Sequence, residues 1–89
     1  MSDSIDGFWG IWCSASKSEK VAEIAARKVR EYGFDAQVFV TTDWENLNRK
    51  KYYVVTAGVY QSKEEAEAQL GTLQEEYPSA YVKYSGEKK

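Results

Sequence analysis

The residues that could do chemistry in this chain are few. Asp43 and Glu45 flank Trp44, and a carboxylate pair is the usual equipment for glycoside hydrolysis. Both sit in a polar connection with no foreseeable pocket, so they read as ordinary loop acids. Cys13 is the only cysteine, and there is no histidine to activate it. It reads as a small core residue. One cysteine excludes an internal disulfide and a cysteine metal cluster. Without histidine the commonest general base and metal ligand are gone. No catalytic residue, metal or cofactor is expected. What remains is aromatic: three tryptophans, seven tyrosines and three phenylalanines. Flat rings bind two polymers. Bases stack on them, and sugars stack through their C–H faces.

Charge separates those two. Twelve basic and 14 acidic side chains leave a net −2. Nucleic-acid binding needs a basic excess, so nucleic acid is not expected as a partner. No run of about 18 apolar residues exists, so no membrane span is expected in this chain. The polar, acidic start does not read as a signal peptide. At 89 residues, one small domain is expected.

The elements that would position the rings come from a repeat. "SEKVAEIAARKVREYGFDAQVFV" and "SKEEAEAQLGTLQEEYPSAYVKY" align without a gap, at an offset of 44 residues. Trp9 then matches Tyr53, Ile11 matches Val55, Ala22 matches Ala66, and Val38 matches Val82. Each half reads strand, helix, strand. Strands are expected at 8–15, 35–41, 52–60 and 80–84. Helices are expected at 18–32, with the stripe Val21, Ala25, Val29 and Tyr32, and at 63–77, with Ala66, Leu70, Leu73 and Tyr77. Ser16 or Ser18 caps the first helix and Gly33 stops it. Ser62 with Glu65 boxes the second and Pro78 ends it. The expected fold is α+β, a ferredoxin-like (RNP-like) β-α-β-β-α-β arrangement. Its four-stranded antiparallel sheet carries two helices on one face, with the first and third strands central. Residues 1–7 are expected to be disordered, 8–84 to form the domain, and 85–89 to be a flexible tail.

Alternation assigns the strand residues to faces. Trp9, Ile11, Cys13, Ala36, Val38, Val40, Tyr53, Val55, Ala57, Ala80 and Val82 should face the helices. The other face should be bare, yet it would show Trp12, Phe39, Tyr52 and Tyr81. Such a patch usually marks a binding surface. An oligomer or domain interface, or strand propensity alone, would also place rings there. Trp44 is expected to pack over the sheet rather than clamp a ligand, and Leu47 to tuck against the core.

"YYVVTAGVYQSKEEAEAQL", residues 52–70, resembles the second half of the SPOR (sporulation-related repeat) domain, through Tyr53, Val55, Gly58, Tyr60, Ser62 and Ala66. "FWGIWCSASKSEKVAE" resembles its first half, and the resemblance covers about residues 8–84. It implies a non-catalytic module that binds peptidoglycan glycan strands, preferably those stripped of stem peptides, on the bare sheet face. It implies the cell envelope (periplasm or cell wall) and a larger division, septal or sporulation protein. The candidate contacts are then Trp12, Tyr52 and Thr56 at the centre, with Val54 on the same face and Phe39 and Tyr81 at the periphery. Trp12 stands where the family often has glutamine, and Val54 where it often has arginine, so rings and apolar groups replace hydrogen-bonding ones. The alternative is a SPOR-like protein-interaction domain that has lost glycan binding, with a protein partner or a homodimer on the same face.

Overall fold

The computed structural model describes residues 7–47 and 49–87. Strand β1 (Trp9–Ser16), helix α1 (Glu19–Glu31), strand β2 (Gln37–Val40), a 3-10 turn (Thr41–Asp43), strand β3 (Tyr53–Tyr60), helix α2 (Lys63–Gln74) and strand β4 (Tyr81–Tyr84) follow in that order. Each helix starts on a serine whose hydroxyl satisfies an otherwise orphaned amide. The Ser18 hydroxyl accepts from the Val21 amide at 3.4 Å, and the Ser62 hydroxyl from the Glu65 amide at 3.1 Å. Helix α1 closes with paired back-bonds, Gly33 amide to the Arg30 carbonyl and Phe34 amide to the Val29 carbonyl. Gly33 sits at φ 115°, where a side chain would be strained.

The sheet order is β2-β3-β1-β4, antiparallel throughout. This is the expected α+β ferredoxin-like arrangement, with β1 and β3 central. Ala22, Ala26 and Val29 of α1 and Ala66 and Leu73 of α2 meet Ile11, Val55 and Ala57 in one core. Trp9, Cys13, Val38, Tyr53 and Val82 pack against its edge. Of the set expected to face the helices, all but Val40 belong to this core. Each fully buried aliphatic contributes about 1.5–3 kcal/mol, so a one-residue slip of either central strand would expose several at once.

Some boundaries differ from expectation. Helix α2 stops at Gln74, not 77. The next turn tightens, with the Glu75 and Glu76 amides bonding three residues back, to Thr72 and Leu73. Strand β2 spans Gln37–Val40 rather than 35–41, because Thr41 turns into the 3-10 segment. The expected flexible tail is corrected at its start. Ser85 and Gly86 are buried, and Ser85 is hydrogen-bonded to Phe8. Lys88, Lys89 and the expected disordered residues 1–6 lie outside the described residues.

Candidate functional site

The face away from the helices is not bare. Phe8, Trp12 and Trp44 form a second buried cluster there, with Phe39, Val54 and Leu47 packed against it. Trp44 and Leu47 come from the connection between β2 and β3, which folds back over the sheet. Thr41 closes the base of that connection. Its amide donates to the Tyr52 carbonyl at 2.9 Å, and its hydroxyl donates to the Lys50 carbonyl at 2.6 Å and accepts from the Tyr52 amide at 2.9 Å. The Trp44 ring then meets Phe8 edge-on at 5.0 Å and Phe39 edge-on at 5.7 Å. Edge-to-face is a preferred aromatic geometry. Packing is therefore what Trp44 does, as expected.

Trp12 is consequently not displayed; it is 5% exposed. The covering loop, not the helices, buries it, so alternation placed it on the correct face. Its indole N–H donates to the Lys83 carbonyl at 3.1 Å and ties the central strand to edge strand β4. Gly10 makes room for the ring: a Cβ there would lie 2.8 Å from a Trp12 ring carbon and from the Thr56 hydroxyl.

The β1–β3 ladder is irregular at this point. Gly10 opposes Val59, Trp12 opposes Thr56, and Ser14 opposes Val55, so each strand in turn carries one extra residue. Thr56 repairs the gap. The Ile11 amide donates to its hydroxyl at 2.9 Å, and that hydroxyl donates to the Gly58 carbonyl at 2.7 Å. Thr56 is 0% exposed, so it is corrected from a central contact to an interior residue. Phe39, half-buried in the aromatic cluster, does not line the open surface beside that cluster.

What the loop leaves open is a groove of about 630 Å³. Four of the six expected residues line it: Trp12, Tyr52, Val54 and Tyr81. Tyr81 is 54% exposed and Tyr52 half-buried, so both offer ring surface. Leu47 forms an apolar wall, while Ser14, Asn46 and Ser79 add hydroxyl and amide groups. Among the described residues that line it none is acidic, and Lys83 is the lone charged one. Lys17 sits 5.9 Å above the Tyr52 ring, a cation–π contact that holds a second positive charge nearby. Asp43 and Glu45 do not line the groove, so no carboxylate pair flanks a bound molecule. Burial pushes the Cys13 thiol up to about 11, with the Ala57 backbone pulling weakly the other way. The thiol stays protonated and unreactive at neutral pH.

Asn46 and Ser79 were not anticipated. Their side chains belong to loops, whose return path strand alternation does not encode. The available signal was the pair Trp44 and Leu47, two apolar residues three apart in an otherwise polar segment.

Comparison with known proteins adds three findings. Residues 6–84 match the family model of the SPOR domain. The fold is similar to the crystal structure of a "putative exported protein" from Burkholderia pseudomallei K96243, with a TM-score of 0.66 and 19% sequence identity over 88% of this chain. The match spans 16% of that longer chain. A comparison with curated proteins finds no significant match.

Proposed function

The chain belongs to the SPOR domain family, and from that premise we propose that it binds peptidoglycan glycan strands in the groove between the β2–β3 loop and β4. SPOR domains are in general peptidoglycan-binding modules of cell-envelope proteins, not enzymes. Among the described residues no helix is long and apolar enough to cross a membrane. The further reading, a module of a larger division or sporulation protein acting at the septum, is part of the same proposal.

The observation that carries it is the composition of the groove. Tyr81 is exposed and Tyr52 half-exposed in the groove lining, and sugar C–H groups can stack on such rings. Ser14, Asn46 and Ser79 supply the small polar groups that fix a saccharide's orientation. Lys83 supplies a positive charge in a groove whose described lining holds no carboxylate, within a chain of net charge −2. That arrangement favours a ligand carrying carboxylates over a neutral one, as glycan strands do once stem peptides are removed. Relative to the first expectation, Thr56 and Phe39 drop out of the lining, Asn46 and Ser79 enter it, and stacking falls to Tyr52 and Tyr81 because Trp12 is buried.

The test is co-sedimentation with purified peptidoglycan, intact and amidase-treated. Wild-type protein is expected in the pellet, more so with treated material. Tyr81→Ala, a change at an exposed residue, is expected to stay folded and bind roughly tenfold more weakly, the loss of one stacked ring. Equal recovery of both proteins in the supernatant would contradict the reading and direct the search to a protein partner. A concentration-dependent mass increase of the chain alone would identify that partner as a second copy.

A further inference from the structure

The Asn46–Leu47 wall of the groove is fastened to residues beyond the last strand. The Asn46 amide donates to the Ser85 carbonyl at 3.0 Å, and the Glu45 amide to the Glu87 carbonyl at 3.0 Å. Ser85 is 0% exposed, and both its main-chain groups and its hydroxyl are used. Its amide donates to the Phe8 carbonyl at 2.8 Å. Its hydroxyl accepts from the Phe8 amide at 3.0 Å and donates to the Gly86 carbonyl at 2.8 Å. Gly86 packs so closely on the loop that a Cβ would lie 2.6 Å from the Asn46 nitrogen, and its φ of 78° is one that side chains rarely adopt. One three-residue segment thus grips the start of β1, where Phe8 anchors the aromatic cluster, and the loop that walls the groove.

We propose that Ser85–Glu87 is a strap that sets the position of the Asn46–Leu47 wall, and that ligand affinity depends on it although no strap residue lines the groove. The affinity half of this inference rests on the groove being the glycan site. Ser85 is a positioning residue. These three residues lie past position 84, where the family match ends. A domain boundary drawn there would cut off the segment that holds the groove's wall in place.

The experiment uses the full chain with Ser85→Ala, Gly86→Ala and Ser85→Thr. Amide hydrogen exchange reads the wall, and co-sedimentation with amidase-treated peptidoglycan reads affinity. In Ser85→Ala and Gly86→Ala the Glu45 and Asn46 amides are expected to exchange roughly tenfold faster and affinity to fall by about the same factor, on the scale of one or two lost buried hydrogen bonds. Amides of α1 and α2 should keep their protection, and Ser85→Thr, which retains the hydroxyl, should move back toward wild type. Unchanged exchange in both variants would overturn the strap. Loosened amides with unchanged affinity would overturn its role in binding. A wild-type chain that does not pellet would instead overturn the glycan reading, and exchange alone would then decide whether the strap holds the wall.

Discussion

At Thr56 a side-chain hydroxyl takes the place of a main-chain partner. The ladder irregularity opposite Trp12 leaves the Ile11 amide without a strand carbonyl, and the Thr56 hydroxyl accepts that bond in the interior. Replacing it with valine keeps the shape and leaves a buried amide unpaired. Thr56→Val is expected to cost about 1–3 kcal/mol, read as a lower urea midpoint at unchanged slope. A midpoint equal to wild type would mean that the bulge relaxes and the amide finds another acceptor. Cys13 gives a pH dependence whose sign follows from burial. Its thiol pKa is raised from 9.0 to about 11, so the unfolded chain ionises first as pH rises. Below about pH 9 both states hold the proton and Cys13 contributes no slope. Between about pH 9 and 11 the unfolded state is favoured and stability falls. Cys13→Ala should flatten that part of the profile, as measured by thermal midpoints from pH 8 to 11; an unchanged slope would assign the loss to Tyr60 and Tyr77, whose hydroxyls burial also pushes up.

The β2–β3 connection is the element that separates expectation from structure. Strand alternation was legible because the helix-facing positions of β1 and β3 are apolar without exception, and serine caps with glycine or proline stops bracket both helices. The second cluster was legible only as a question, why Phe8 and Trp12 both face away from the helices. Its answer depends on a loop whose path is set by Thr41 at its base and by contacts with residues 84–87, more than 35 positions away. No local pattern reports such a contact. The same distance hid Asn46 and Ser79 from the site and made Ser85 look like the start of a tail. The loop is also structural, which can be tested. Trp44 is 8% exposed and wedged between Phe8 and Phe39. Trp44→Ala is expected to cost about 3 kcal/mol, the lower range for a buried tryptophan, because a loop can partly collapse. In a domain of this size that lowers the thermal midpoint by roughly 12 °C or more. A shift within about 2 °C would show that the loop is an independent lid over the sheet.

The whole molecule divides its two sheet faces between two tasks. One face carries the helices and the main core, which specify the ferredoxin-like fold shared at 19% identity with the Burkholderia structure. The other carries a small aromatic core, and Trp12, Leu47 and Val54 of that core also line the groove beside it. Membership of the SPOR family agrees with that division, since a binding module needs a stable frame and an accessible face rather than a buried catalytic centre. The exposed apolar residues Val21 and Ile24 on α1 offer the competing surface. Whether ligand meets the groove is read by mapping chemical-shift changes in the isotope-labelled chain on addition of soluble, peptide-free glycan strands. Saturable shifts are expected at the Trp12 indole, Asn46, Tyr52, Ser79 and Tyr81, with α1 silent. Shifts confined to Val21, Ile24 and their neighbours on α1, or none at any glycan concentration, would contradict binding in the groove.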